Sequence, residues 1–146
     1  MLQISEIRYA LSNNPAFVYG REFRWSDGAL LTSSDVKSAK LTIYEQSDPY
    51  ASEGEPLEHF TDRPLDPNVI FFDSLQPGDI QTKYGPKSIQ YNMLAVIAPI
   101  VISTGGVNET VFPFPVVGKY YRVVITFELY DVNIPPYSHV TIIKSV

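Results

Sequence analysis

The sequence predicts an all-β chain, an antiparallel β-sandwich or jelly roll with little or no helix. Apolar and polar residues alternate with a period of two over several separate stretches. Gly- and Pro-marked turns separate those stretches, and no segment repeats its apolar residues convincingly at helical spacing. At 146 residues the chain fits one domain, taken here as residues 1–146, and is long enough to bury a core.

The strands follow one by one. In VKSAKLTIYE, Ala39, Leu41 and Ile43 share one face and Lys40, Thr42 and Tyr44 the other. YYRVVITFELY is longer and cleaner: Tyr121, Val123, Ile125, Phe127 and Leu129 face the core, against Arg122, Thr126 and Glu128. SHVTIIKSV repeats the pattern through Val140, Ile142 and Val146, and NVIFFDSL (68–75) reads as a short strand closed by a turn at Pro77-Gly78-Asp79. FRWSDGALL reads as a hairpin on a type I′ turn at Asp27-Gly28, and IVISTGGVNETVF as another around Gly105-Gly106. YNMLAVIA (91–98) suits a core strand or a buried helical turn; strand is preferred, with a bend at Pro99. Ser33 or Ser34 could cap a helix over 33–41, but the alternation that follows argues against it.

Two regions read as irregular. Residues 46–68 form a long acidic loop with Pro49, Pro56, Pro64 and Pro67, and residues 80–92 a turn-rich crossing at Gly85-Pro86. Residues 1–18 open with the apolar Leu2, Ile4 and Ile7 and read as either an arm or a strand.

Composition narrows the function. A net charge of −5 with scattered basic residues argues against nucleic-acid binding, which draws on Lys and Arg against phosphates. Without cysteine there is no disulfide framework and no thiolate metal site. MLQISEIRYA does not have the pattern of a signal peptide, so synthesis in the cytoplasm is expected. MLAVIAPIVI, the longest apolar run, is ten residues and too short to span a bilayer as a helix, so no membrane partner is expected.

Chemical motifs are sparse. The histidines are His59 and His139; Ser138 and His139 are adjacent and so point to opposite faces of a strand, which forbids a dyad. His139 reads as a surface residue at a strand start and His59 as a solvated loop residue. Asp48, Glu53, Glu55, Glu58 and Asp62 do not follow EF-hand spacing and read as a solubilising loop. Asn108-Glu109-Thr110 matches the glycosylation sequon, a match better ascribed to chance without a signal peptide. No catalytic residue, metal or cofactor is therefore assigned, and the chain is expected not to be an enzyme.

The surplus is aromatic and apolar: ten Tyr, eight Phe and one Trp. In VFPFPVV, Pro113 and Pro115 hold the chain extended and withhold ladder donors, so the segment suits a sheet edge or a neighbouring chain. Phe112, Phe114 and Val116 are either core residues of a connection or an intersubunit contact. With Leu2, Ile4, Ile7 and Tyr120 they form the candidate interface. Tyr19 and Trp25 form an alternative site for stacking on sugar rings, though core or edge packing is the preferred account of a single Trp near Phe23.

DVKSAKLTIYE resembles a strand opening in the jelly-roll modules of carbohydrate-binding or adhesive proteins. The chain as a whole is similar to the capsid decoration, or cement, proteins of tailed phages, particularly those of thermophile hosts. The features are its size, lack of Cys, Tyr- and Pro-rich composition, all-β pattern, apolar N-terminal segment and absence of catalytic motifs. The resemblance implies a virion structural protein on the capsid exterior. It would be a homotrimer at three-fold positions, touching the major coat protein and copies of itself. The alternative expectation is a carbohydrate-binding or tail appendage module.

Overall fold

A computed structural model describes residues 7–12, 17–51, 54–82 and 84–146. The strands are β1 (Ile7–Ala10), β2 (Phe17–Arg21), β3 (Val36–Gln46), β4 (Glu55–Pro56), β5 (Arg63–Leu65), β6 (Phe71–Thr82), β7 (Gly85–Ile97), β8 (Ile100–Thr104), β9 (Val107–Val111), β10 (Tyr120–Leu129) and β11 (Tyr137–Ser145). Among the described residues helix is confined to a 3-10 turn at Glu58–Phe60 and the single turn α1 (Pro67–Ile70). The fold is an all-β sandwich, as the alternation predicts.

The larger sheet runs β1-β11-β10-β3-β4, with β5 also on β3; the smaller runs β2-β7-β6; β8 and β9 form a separate ribbon. All pairs are antiparallel except β1–β11, where Ile7 to Ala10 run parallel to Ile142 to Ser145. The core lies between the two sheets. Ala39, Leu41 and Ile43 of β3 and Tyr121, Val123, Ile125 and Phe127 of β10 are buried, the faces their periodicity requires. From the smaller sheet Phe17, Met93, Ala95 and Ile97 meet them. Aromatic rings join the layers edge to face: Phe127 lies 5.3 Å from Phe23 and 5.2 Å from Phe71.

Several expectations are corrected. Pro77-Gly78-Asp79 is no turn but part of β6, where Gly78 stands opposite Ile89 of β7. Residues 67–70 are helical: Pro67 opens α1, and the Asp66 side chain accepts from the Asn68 amide at 2.9 Å. The Trp25–Leu30 hairpin has a positive φ at Gly28 but not at Asp27, so its turn is not type I′. The Gly28 amide donates to the Trp25 carbonyl at 3.0 Å instead. Gly105 and Gly106 both carry positive φ, as their hairpin requires. The described residues of 80–92 belong to β6 and β7, paired from Thr82 opposite Gly85 onward, and Gly85 has a positive φ.

The acidic stretch is not a free loop either. Its described residues dock through β4 and β5 on β3 and bury Phe60. In β11 Ile142 is buried as expected, but Ile143 and Ser145 are buried too and Val146 is exposed; Ile143, opposite Tyr121, is the residue that joins the core between the sheets.

One buried polar residue organises the hairpin that precedes β3. Asn92, fully buried in β7, accepts from the Phe23 amide at 2.7 Å and donates to the carbonyls of Phe23 at 2.9 Å and Leu31 at 2.7 Å. A side chain thus satisfies backbone groups that have entered the core, which keeps their burial from being costly.

Candidate functional surface

The two sheets present different outer faces. On the smaller sheet Val18 stands opposite Val96 and Gly20 opposite Leu94. Their neighbours Phe17, Tyr19, Ala95 and Ile97 point inward, so Val18 and Val96 point out, 48% and 53% exposed. A Cβ on Gly20 would come within 3.3 Å of both Ile89 and Tyr91, which places those side chains on the same outer face. A Cβ on Gly78 would lie 2.8 Å from the Tyr91 ring. The glycines of β2 and β6 therefore form the bed on which Tyr91 lies, and this is why Pro77-Gly78 sits inside a strand. The Phe72 ring closes the patch 5.8 Å from Tyr91.

Val18, Gly20, Leu94, Val96, Ile89, Tyr91 and Gly78 carry no charge. Tyr91 faces outward and Met93 inward although they are two residues apart, so the strand's alternation breaks at Asn92. The β6 pairing jumps at the same level, from Phe71 opposite Met93 to Gln76 opposite Tyr91. The β8–β9 ribbon, joined to this sheet through Pro99, exposes Val101 and Val107 as well.

The outer face of the larger sheet carries charged pairs beside the apolar Val124, Val140 and Ile142, and is partly covered, Ile142 being fully buried. Lys40 pairs with Asp62 at 3.3 Å and Lys37 with Glu128 at 3.7 Å. A strap after β3 crosses it: Arg122 donates through Nη2 to the Ala51 carbonyl, and Gln46 through Nε2 to Asp48 at 2.9 Å. Gly54 is required there, because a Cβ would lie 1.9 Å from the Glu45 carbonyl oxygen.

VFPFPVV closes one end of the core. Phe114 is 2% exposed, its ring 5.7 Å from Phe17 and 5.6 Å from Tyr121. The Ser145 hydroxyl donates to the Phe114 carbonyl at 2.8 Å, and the Val116 amide donates to the Tyr121 hydroxyl at 2.9 Å. Burial, followed by the nearby Glu45 carboxylate, pushes the Tyr121 phenol up to about 12. Phe114 is therefore a core residue and leaves the candidate interface. Phe112 and Tyr120 are half-buried, Tyr120 under the Lys144 ammonium at 5.4 Å, while Val116 is 43% exposed. Ile7 lies in β1 opposite Ile142; Leu2 and Ile4 lie outside the described residues.

The sugar-stacking pair does not assemble either. Tyr19 is 5% exposed, its ring within the sandwich. Trp25 packs half-buried against the core and donates from Nε1 to Asp35 at 3.3 Å. Among the described residues no three His, Asp or Glu side chains are grouped to hold a metal ion, and no helix is long and apolar enough to cross a membrane.

His139 is not the surface residue its sequence position suggests. Its Nε2 meets the Tyr19 hydroxyl, linking β11 of one sheet to β2 of the other. The two rings stack at 5.7 Å, and Phe23 meets the imidazole edge-on at 5.5 Å. Burial, and then the nearby Arg21 charge, lower its pKa to about 4. Burial raises the Tyr19 pKa, against opposing pulls from the Thr141 side chain, Arg21 and Arg8. Arg8 spans the same seam, its guanidinium 4.9 Å from the Phe17 ring centre and 5.3 Å from that of Tyr19.

The outer patch is what the sequence reading missed, and a signal for it exists. NMLAVI is apolar at every position after Asn92, which in an antiparallel sandwich means apolar side chains on both faces. Fold and surface together define a β-sandwich with an apolar outer sheet face on which Val18 and Val96 are exposed and Ile89, Tyr91 and Leu94 half-buried. Compared with known proteins, the chain matches no family model, no curated protein and no solved structure.

Proposed function

We propose that the chain is a non-enzymatic structural subunit that works through its surfaces, as a decoration protein on the exterior of a virion. Its partners in this reading are the major coat protein and further copies of itself in a homotrimer. The observation that supports it is the outer face of the β2-β7-β6 sheet, where Val18, Leu94, Val96, Ile89 and Tyr91 form an apolar patch. Antiparallel sheets with one face in a core are ordinarily polar on the other, and a contiguous apolar face is one that a partner covers.

Covering the exposed halves of Val18 and Val96 contributes only about 1 kcal/mol each. One such patch holds a partner weakly. A repeated shell supplies many copies, and contacts that are weak singly become strong when each subunit engages several neighbours. A subunit that binds the assembled shell and not its dissociated coat proteins stabilises the shell by mass action.

The test is co-sedimentation with shells of the coat protein from the same virion, beside the oligomeric state by light scattering. Wild type is expected to bind and to raise the melting temperature of the shells. The double variant V18K/V96K, whose changes lie outside the core, is expected to fold and lose most of that binding. A wild-type chain that stays monomeric at all concentrations and leaves shells unbound overturns the proposal.

A further inference from the structure

The join between the sheets is not uniform. At its centre Phe23, Phe71 and Phe127 make it from rings alone, which no pH between acid and alkali alters. Along the β2–β11 side it is made by the Tyr19–His139 pair. Both strands have open edges there. Among the described residues β2 is the outer strand of its sheet, and β1 covers β11 only from Ile142 to Ser145, leaving Tyr137 to Thr141 paired on one side alone.

We propose that the Tyr19–His139 contact is an acid-released latch, which holds β2 against β11 while the imidazole is neutral and frees that edge when the imidazole takes up a proton. This stands apart from the assembly reading and needs no partner.

The chemistry follows from the neighbours. A neutral imidazole with its proton on Nδ1 accepts at Nε2 from the Tyr19 hydroxyl, which burial keeps protonated and therefore a donor. A proton on Nε2 turns the acceptor into a donor and places a cation in the seam. The groups around it are Tyr19 and Arg21 of β2, Tyr137 on its own strand, and Arg8 of β1 over the Tyr19 ring. Among the described residues the charge acting on the imidazole is that of Arg21, which is positive, and the Thr141 side chain is hydrogen-bonded to Tyr19. Phe23, edge-on to the imidazole, offers no acceptor oxygen.

The sign of the pH dependence is fixed by the same facts. An unfolded histidine titrates near 6.5 and this one near 4, so between those values the open state binds more protons than the closed one. Stability of the seam is complete above about pH 6.5 and is lost progressively as the pH falls through 4. Partial exposure of the ring screens the effect, which leaves an expected rise in the open population of roughly tenfold or more. Opening bares Tyr19 and Phe23, which are buried in the closed seam, beside strand edges that already have no described ladder partner.

Amide hydrogen exchange from pH 7 to pH 4, corrected for the intrinsic pH dependence, tests this together with an NMR titration of the His139 ring. The expected result is a selective loss of protection in Phe17–Arg21 and Tyr137–Thr141, with β3 and its β5 edge unchanged. In H139Q, whose side chain can accept from Tyr19 but does not titrate, the selective loss should disappear. Y19F separates latch from fold: it should show the open pattern already at pH 7. A His139 midpoint near 6.5, uniform loss across the sandwich, or the same acid response in H139Q would each overturn the proposal.

Discussion

The two outer faces of this sandwich are built from the same kind of alternating strand and end up opposite in character. On the larger sheet the positions between core residues hold Lys40, Thr42, Arg122, Val124, Thr126 and Glu128, mostly polar, with a strap held by Arg122 and two short strands paired along the edge of β3. On the smaller sheet the corresponding positions hold Val18, Gly20, Leu94, Val96 and Tyr91, all uncharged, with Val18 and Val96 about half exposed and Leu94 and Tyr91 half-buried. Strand patterning alone thus fixes one face of a strand for the core. What the second face is for depends on what the rest of the chain puts over it.

Asn92 lies in the smaller sheet at the level where the β6–β7 register jumps, and changing it should have the largest effect. Replacement by Leu leaves the Phe23 amide and the Leu31 carbonyl without Asn92 in the core, while the Phe23 carbonyl keeps the Leu31 amide at 3.1 Å, at a cost on the order of 2–5 kcal/mol. Urea denaturation should show a large drop in midpoint; an unchanged midpoint would mean that Asn92 does not hold the 23–31 hairpin.

Next comes the bed of Tyr91. G78V places side-chain atoms where the Tyr91 ring lies, 2.8 Å from the Cβ, so the ring must lift or the hairpin must shift. A loss of roughly 1–3 kcal/mol is expected, with a changed environment for the Tyr91 ring by NMR. An unperturbed Tyr91 resonance would show that the glycine bed does not define the patch.

The smallest change belongs to the charged face. K40A removes an exposed ion pair with Asp62 and should move stability by no more than about 0.5 kcal/mol. It should also leave any self-association or shell binding intact, whereas V18K/V96K should abolish it at similarly little cost to folding. Equal effects of the two on binding would erase the functional distinction between the faces.

Much of this architecture was legible. The faces of β3 and β10 read directly because a strand exposes its periodicity within ten residues, and the Gly105-Gly106 turn read because only glycine accepts two positive φ values cheaply. Pro77-Gly78 misled because the same pair marks a turn when nothing else constrains it. Here the Tyr91 ring, thirteen residues further along the chain, occupies the space that a side chain at 78 would need. Phe114 could be core or contact in sequence, since an extended Pro-held segment suits both. Its burial depends on Phe17 and Tyr121, and on Ser145 at the end of the chain.

His139 shows the same limit most sharply. Its local sequence describes an ordinary residue near the start of a strand, and its chemistry comes from Tyr19, 120 positions away. By itself the sequence determined that the chain is all-β, which residues of its best strands face inward, and that no recognised catalytic motif is present. The tertiary structure alone decided that Asn92 is a buried node, that Val18 and Val96 lie on one outer face, and that a histidine joins the two sheets. The physical reason is range: periodicity and turn chemistry act between near neighbours in sequence, while burial, hydrogen-bond satisfaction and pKa depend on which distant segments the fold brings together.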